Sequence, residues 1–388
     1  MDINPRCRHF PGDRPCVYHK QDGARCDSCA HYSPVGFRIL IIKLDALGDV
    51  LRTTCLLPAL RRSYPEGHVT WLTLEAARPV LEQNPYVNET WSLGTESLAR
   101  LGVQTFHLVL NPDASKASAG MASVARAKER RGFMLGEVGQ VVPLSPEAET
   151  WLALGARDDL KRANRTTYQD HVHRMCGLDA EGQGIVLRLT DREREFADRW
   201  LGDAGIEPGT RLIGFNTGSS PRWPKKQWPR ERYLDLARRL EGMFDGRVVL
   251  LGGRLERGTN RWLSEQTGGY ALDTGSDHDL RHYFALVGRC DVVVTGDTLG
   301  LHVALALGKK VVALFGPTSP WEVDLYGRGV RVVSDLDCVC CYRSECAESP
   351  TCMERIRPEA VMDAIRGLIP GGWPTGAGRP ARVAVLQA

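Results

Sequence analysis

One segment near the start of the chain constrains the fold more than any other. Four apolar residues, Ile39–Ile42, are followed by Gly48 and Asp49 and then by apolar residues at helical spacing. An unbroken apolar run predicts a strand buried on both faces, as in a parallel sheet covered by helices. Asp49 is therefore predicted where strand gives way to helix, at the edge where open α/β sheets bind ligands. Helix capping is the alternative role for this carboxylate.

A second segment far downstream repeats this arrangement. A predicted buried strand over 291–295 is followed by Asp297 and Thr298, then by a helix that carries His302 about one turn further on. Backbone N–H groups at the start of such a helix suit a diphosphate. Strands and helices alternate through both halves of the chain, which predicts an α/β fold with two doubly wound parallel sheets.

Together these segments resemble glycosyltransferase family 9, the bacterial heptosyltransferase-like enzymes. Lys43 to Asp49 match the family's K-x-x-x-x-G-D turn. Asp297, Thr298 and His302 match its D-T-G-x-x-H donor motif, although Leu299 stands where the family has Gly and Gly300 follows one place later. The loop over 216–224 is similar to the family's donor-phosphate loop. The resemblance extends over about residues 37–369.

The alternating pattern and the resemblance both imply a GT-B architecture, with two Rossmann-like domains facing across a cleft. We expect a Cys-rich module at 1–36, an acceptor-side domain at 37–200, and a nucleotide-sugar-binding domain at 208–355. The resemblance further implies that a helix within 356–370 packs back on the first domain. A flexible tail is expected at 371–388.

The activity implied is inverting, metal-independent transfer of a sugar, with Asp49 as the general base in the position of the family's Gly-Asp pair. By resemblance the donor is ADP-heptose or another nucleotide-linked sugar, and the acceptor is a lipopolysaccharide core or another surface glycan. Residues expected on the donor side are Asn216, Thr217, Gly218, Ser219, Arg222, Glu256, Asp297, Thr298, Gly300 and His302. Residues expected on the acceptor side are Lys43, Arg52, Asp113 and Lys116, the last beside a basic helix predicted over 117–131.

Other enzyme classes find less support in the sequence. No G-x-G-x-x-G follows a strand and no P-loop is present, and the D-x-D at Asp335 and Asp337 lies away from any predicted sheet edge. Two alternatives stay open. One is a nucleotide-sugar 2-epimerase of the same architecture, which could use His107 and Asp113. The other is a non-catalytic nucleotide-sugar binder whose cysteines sense metal or redox state, but such a binder has no use for Asp49.

The twelve cysteines are concentrated at the two ends of the chain. Four of them, Cys7, Cys16, Cys26 and Cys29, precede the first strand, and the last two form a C-x-x-C pair typical of zinc sites. We predict structural zinc there, with His9 or His19 as substitute ligands. An iron–sulfur cluster and free or disulfide-bonded thiols are the alternatives. A second group could also bind metal, pair as disulfides or stay reduced: Cys338, Cys341, Cys346 and Cys352.

Charge and hydropathy bound the remaining partners. A net charge of +3 with no long basic run argues against nucleic acid as a partner. The apolar run Ile39–Ile42 is far shorter than a membrane span, and the polar first thirty residues do not match a signal peptide. We therefore expect a cytoplasmic protein, with peripheral contact to the inner leaflet of the membrane where a lipid-linked acceptor would lie.

Overall fold

A computed structural model describes residues 3–182 and 184–369 and the backbone of 385–387. The expected flexible tail at 371–388 lies outside the described residues apart from that last segment. The described strands are β1 (Arg38–Ile42), β2 (His68–Thr73), β3 (Glu89–Ser92), β4 (Thr105–Asn111), β5 (Arg126–Leu135), β6 (Val141–Pro143), β7 (Leu212–Asn216), β8 (Arg247–Leu251), β9 (Ala271–Asp273), β10 (Val292–Gly296), β11 (Lys310–Phe315), β12 (Gly329–Val333) and β13 (Val385–Gln387).

Helices alternate with these strands through most of the chain. The described helices are α1 (Val17–Asp22), α2 (Leu47–Thr53), α3 (Leu56–Ser63), α4 (Arg78–Leu81), α5 (Thr95–Val103), α6 (Lys116–Val124), α7 (Pro146–Ala156), α8 (Asp158–Ala163), α9 (Tyr168–Met175), α10 (Asp191–Asp203), α11 (Arg230–Glu241), α12 (Arg257–Gln266), α13 (Leu280–Arg289), α14 (Leu299–Ala306), α15 (Cys352–Arg355) and α16 (Pro358–Leu368). Among the described residues, no helix has the length and apolarity needed to cross a bilayer.

The first sheet has the strand order β3-β2-β1-β4-β5-β6, parallel except for the β5–β6 pair. Strand β1 is central, and Ile39 lies opposite Val69 on β2 and Leu108 on β4. The chain winds in one direction from β1 to β3 and then returns to the other side with β4. The topological switch point therefore lies between β1 and β4, beside Asp49, where the sequence predicts ligand binding.

The second sheet has the order β13-β12-β11-β10-β7-β8-β9, with only the β12–β13 pair antiparallel. Its switch point lies between β7 and β10, which pair in parallel with Val294 opposite Phe215. The predicted doubly wound α/β class is confirmed in both halves. Burial on both faces explains why β1, β7, β8, β10 and β11 are almost continuously apolar.

Helix α10 connects the two halves and is fixed by a buried ion pair. Arg281 on α13 donates Nε to Glu193 Oε1 at 2.7 Å and Nη2 to Glu193 Oε2 at 2.8 Å. Its other donor group reaches the backbone oxygen of Pro79 in the first half at 3.2 Å. A bidentate pair of this kind fixes orientation as well as distance. The first half, the connecting helix and the second half thus meet at one guanidinium group.

Two expectations about individual elements were wrong. Residues 117–131 are not one helix, because α6 ends at Val124 and β5 begins at Arg126, so the basic residues of this stretch lie on a strand. Helix α16 does not brace the first domain. Its buried face, with Val361 and Ile365, packs on the second sheet and against α11, because Leu236 and Leu240 offer an apolar surface there.

Candidate active site

At the first switch point, buried Lys43 connects the ends of β1 and β4. Its Nζ donates to the backbone oxygen of Asp45 at 2.6 Å and lies 3.3 Å from Oδ2 of Asp113. Both side chains are about nine-tenths buried, with 8 % and 10 % of their surface exposed. The structure therefore brings these two predicted acceptor-side residues together, but as a buried pair that shapes the floor of the cleft.

Asp49 lies above this floor, in the first turn of α2. Its Oδ1 accepts from Arg52 Nη2 at 2.9 Å, and 37 % of its side chain is exposed. Partial burial raises the pKa of this carboxyl, but the cations Arg52 and Lys43, followed by His302, outweigh that effect and hold the pKa below its usual value. Asp49 is therefore an ionised carboxylate with a free oxygen facing the cleft.

Tyr168 on α9 holds Arg52 in place, and the sequence did not single it out. The guanidinium carbon of Arg52 lies 3.7 Å from the centroid of the Tyr168 ring, which is a cation–π contact. Thr53 donates its only hydroxyl hydrogen to the backbone oxygen of Asp49 at 2.6 Å. The Tyr168 hydroxyl, 2.6 Å from that Thr53 oxygen, therefore acts as the donor to it. These contacts fix the orientation of Arg52 and, through it, of the Asp49 carboxylate.

At the second switch point, Asn216 connects the ends of β7 and β10. Its amide nitrogen donates to the hydroxyls of Thr295 and Thr298 at 3.1 and 3.0 Å. The side-chain oxygen of Asn216, Oδ1, accepts from the Tyr283 hydroxyl at 2.9 Å. Gly300 is required for this packing, because a Cβ there would lie 2.7 Å from Cγ of Asn216. Asn216 and Gly300, both expected to bind the donor directly, instead build the framework that positions Thr298.

Asp297 is paired with Lys226, a residue that the sequence analysis missed. Lys226 Nζ donates to Asp297 Oδ2 at 2.7 Å, and both side chains are largely buried. Burial raises the pKa of Asp297, but Lys226 and then His302 more than offset this and hold the pKa well below its usual range. The sequence does contain a pattern that could have drawn attention to this residue. Lys226 stands two residues before a second Trp-Pro pair, Trp228-Pro229, whereas the predicted donor loop ended at the first pair, Trp223-Pro224.

The two switch points face each other through the first turns of α2 and α14. A Cβ at Gly48 would lie 3.0 Å from Cδ2 of His302, so this glycine allows the close approach of the helices. His302 is only 4 % exposed, and burial, with a contribution from Arg52, lowers its pKa to about 4. It is therefore neutral at pH 7, and its buried Nδ1 has no hydrogen-bond partner among the described residues.

The loop after β7 lies against the end of β8. A Cβ at Gly218 would meet Oε1 of Glu256 at 2.1 Å, so this position requires glycine. Glu256 Oε2 accepts from the backbone N–H of Gly253 at 2.8 Å, and Thr217 donates its hydroxyl to Asn260 at 2.6 Å. The structure thus places Gly218 against Glu256, two residues expected on the donor side, while the Thr217 hydroxyl is used internally.

Several predicted residues lie further from the opposed helix ends. Ser219 is partly exposed, and Arg222 is exposed with its guanidinium 5.9 Å from the Trp223 ring centroid. Lys116 is exposed at the first position of α6, one loop away from Asp113. Asp335 of the D-x-D pair gives both carboxylate oxygens to Arg355, at 2.7 and 2.9 Å. That engagement agrees with the interpretation of this motif as accidental.

Neither cysteine group forms a preformed metal site. In the part of the chain that the structure describes, no three Cys, His, Asp or Glu side chains are arranged as metal ligands, and every cysteine is unpaired. In the C-terminal group, burial raises the pKa of Cys352 to about 11, and the nearby thiols of Cys341, Cys346 and Cys338 add to this. Zinc at either end of the chain therefore stays a prediction.

Two doubly wound sheets whose switch points face each other, one with an open carboxylate and one with a helix start and a lysine, define a two-domain enzyme of the GT-B architecture. The family model for glycosyltransferase family 9 (heptosyltransferase) matches residues 98–351, about two thirds of the sequence. The chain belongs to glycosyltransferase family 9, and it is a glycosyltransferase. Family membership thus favours transfer over the epimerase and the non-catalytic binder.

Relatives and solved structures agree with this assignment. The chain is 26 % identical over 309 residues to lipopolysaccharide heptosyltransferase 2 of Escherichia coli K12, covering 73 % of this chain and 84 % of that protein. The glycosyl transferase family 9 structure from Veillonella parvula superposes with a TM-score of 0.69 at 22 % identity, covering 86 % and 97 % of the two chains. For the E. coli ADP-heptose LPS heptosyltransferase II the TM-score is 0.62 at 20 % identity, with 86 % and 98 % covered. The structural likeness supports the fold.

Proposed function

We propose that this glycosyltransferase moves a heptosyl group from a nucleoside diphosphate donor, with inversion and without a catalytic metal, to a lipopolysaccharide-core or other surface-glycan acceptor. The observation that carries the mechanism is Asp49, an ionised and partly open carboxylate facing the second switch point. The heptosyl donor and the acceptor are inferred from relatives that are named lipopolysaccharide heptosyltransferases. A lipid-linked acceptor would place the reaction at the cytoplasmic face of the inner membrane.

In this mechanism Asp49 accepts the proton of the acceptor hydroxyl while the oxygen forms its bond to the anomeric carbon. The bond from that carbon to the diphosphate oxygen breaks on the opposite face, which inverts the configuration. General-base assistance of this kind contributes roughly 10²–10⁴ in rate. Arg52 keeps the carboxylate oriented, and its charge holds the pKa of Asp49 low enough for the base to be ionised at neutral pH.

The departing diphosphate needs positive partners that are fixed in advance. Lys226 has three N–H donors and gives one to Asp297 Oδ2 at 2.7 Å and one to the Asp297 backbone oxygen at 3.3 Å, which leaves a donor for a phosphate oxygen. The backbone N–H groups at the start of α14 and the Thr298 hydroxyl lie on the same side of the cleft. Arg222, Ser219 and Glu256 would complete the donor site from the β7 and β8 loops, with Glu256 near the ribose.

A donor panel tests the substrate part of the proposal. Purified protein would be screened by thermal shift against ADP-, UDP-, GDP- and CMP-linked sugars, since a ligand that binds the folded state raises its melting temperature. ADP-heptose should give the largest shift and should release ADP when a heptose-accepting lipopolysaccharide core is added. A larger shift and faster turnover with another nucleotide sugar would contradict the heptosyl assignment while leaving the transferase mechanism standing.

The same assay tests inversion and metal independence. Product formation should persist in excess EDTA, and NMR should report an anomeric configuration opposite to that of the donor. Asp335→Asn is the matched control, because this carboxylate is held by Arg355 away from the cleft and its loss should not change turnover. A strict requirement for Mg²⁺ or Mn²⁺ would overturn the metal-independent mechanism, and loss of turnover in Asp335→Asn would then assign the metal to the D-x-D pair.

A further inference from the structure

The first residues of the chain form a compact segment that lacks a hydrophobic core. We call residues 3–36 the N-terminal module. None of its side chains is buried, and its one helix, α1, has no buried residue. Its two ends are joined by backbone hydrogen bonds from Arg8 to Ser33 at 2.8 Å and from Val35 to Arg6 at 2.7 Å. A segment this small ordinarily needs disulfides or a metal to hold its fold.

The four cysteines of the N-terminal module surround a single cavity of about 510 Å³. Cys7 comes from the first turn, Cys16 from the start of α1, and Cys26 and Cys29 from the loop after α1. None of the four thiols is in a disulfide. Three separate parts of the module therefore present thiols to the space that a core would otherwise fill.

Two of the three histidines that line the cavity have one ring nitrogen in contact with a neighbouring oxygen. His31 stacks on Tyr18 with ring centroids 3.9 Å apart, and its Nε2 lies 3.2 Å from Asp22 Oδ2. His19 Nδ1 lies 3.1 Å from the backbone oxygen of Ala24. Cys16 Sγ accepts the backbone N–H of His19 at 3.5 Å. The four thiols are by themselves enough to fill a tetrahedral zinc site, so the cysteines are taken as the ligand set.

We propose that Cys7, Cys16, Cys26 and Cys29 bind one Zn²⁺ ion that fixes the N-terminal module. Each thiol loses its proton to solvent, and the four thiolates form a closed tetrahedral site. Because no preformed ligand group exists among the described residues, binding draws the three segments together and contracts the cavity. Metal binding and the final folding of the module are then one coupled process.

The location of the N-terminal module indicates a structural role for this zinc ion. Arg8 lies 3.5 Å from Glu66, in the turn that leads into β2, and Phe37 stacks on Tyr64 at the start of β1. These contacts are at the amino ends of parallel strands, whereas Asp49 and Asp297 follow the carboxyl ends. The metal is therefore on the opposite side of the first sheet from the cleft, and its loss should leave transfer chemistry intact.

Metal analysis of the full chain tests the proposal. Protein purified without oxygen or chelators would be assayed for zinc, iron and acid-labile sulfide, beside the variants C26S/C29S and C338S/C346S. We expect C26S/C29S to lose about one zinc per chain relative to the wild type, since four thiolates bind one ion. The matched control C338S/C346S also removes two thiols but should retain that zinc.

A second measurement separates a lost metal from a misfolded chain. Trypsin should cut the exposed sites at Lys20 and Arg25 faster in C26S/C29S, and in wild type after zinc removal, with protection restored by added Zn²⁺. Donor-induced thermal shift and turnover should be unchanged in C26S/C29S, which verifies that the two sheets are folded. Equal zinc in C26S/C29S and wild type, no zinc in either, or iron with sulfide lost on mutation would each overturn the zinc site.

Discussion

The two switch points have the same topology but different chemistry. Each places a carboxylate just after a central strand, and each carboxylate has one cationic partner: Arg52 for Asp49 and Lys226 for Asp297. The Asp49 side chain is 37 % exposed, whereas that of Asp297 is 17 % exposed. Asp297 is also held more strongly in its ionised form, because Lys226 donates directly to it in a more buried setting.

This difference separates a reactive carboxylate from a structural one. A general base must reach the proton it accepts, and Asp49 has an open oxygen in the cleft. Asp297 instead orients the ammonium group of Lys226, so that the pair presents positive charge to a diphosphate. We infer that the first switch point carries the chemistry and the second carries donor binding.

The largest effect is expected for Asp49→Asn. The amide keeps the size of the side chain but is a poor base, so turnover should fall by roughly 10²–10⁴ while the donor dissociation constant stays near the wild-type value. Single-turnover kinetics and calorimetry measure the two quantities separately. The control is Asp45→Asn, an exposed carboxylate in the same loop. Wild-type turnover in Asp49→Asn would refute the division between the switch points.

The opposite pattern is expected for Lys226→Ala. Its loss removes a donor to the diphosphate and leaves Asp297 as an unpaired negative charge near it. Hydrogen bonds to charged groups contribute roughly 1.5–3 kcal/mol, so donor affinity should fall about 10- to 100-fold. Calorimetry with the donor is the measurement, and Lys225→Ala, an exposed lysine one residue away, is the matched control. Equal losses in both variants would mean that general charge, and not the Asp297 pair, sets affinity.

The smallest effect concerns His302, which lies between the two switch points. Its pKa is about 4 in the folded protein and about 6.5 in an unfolded chain. Between these values the unfolded chain binds a proton that the folded protein does not. The free energy of unfolding therefore falls as pH falls from 6.5 to 4, by up to about 1.4 kcal/mol per pH unit from this group.

Urea unfolding of wild type and His302→Asn across pH 4–7 measures this contribution. The variant should show a flatter dependence in that window, because it lacks the titrating group. His171 and His173, whose pKa values are also lowered by burial, contribute equally to both proteins and cancel in the difference. If the free energy of unfolding has the same pH dependence in both proteins, His302 binds as many protons in the folded as in the unfolded chain, and burial does not lower its pKa.

The sequence predicted much of this arrangement, and its errors have physical causes. Asp49 and Asp297 were placed correctly just after strand ends, and His302 on the helix that follows, because buried parallel strands are unbroken apolar runs that end sharply. The segment 117–131 was misinterpreted since its charged residues suit an exposed helix face as well as a partly exposed strand, and β5 forms only by pairing with β4 and β6, which local sequence does not reveal. Helix α16 was assigned to the first domain from the family resemblance, but its apolar face packs on the second sheet, and its sequence alone does not specify which surface covers that face.

Local patterns and spacing were enough to predict the two sheets, the family and the positions of the two carboxylates. Tertiary structure alone decided which long side chains meet them. Lys226 reaches Asp297 across 71 positions, and Tyr168 lies under Arg52 from a different helix. Burial of His302 against Gly48 was equally invisible, because the pKa of a side chain depends on neighbours that only the folded chain brings together.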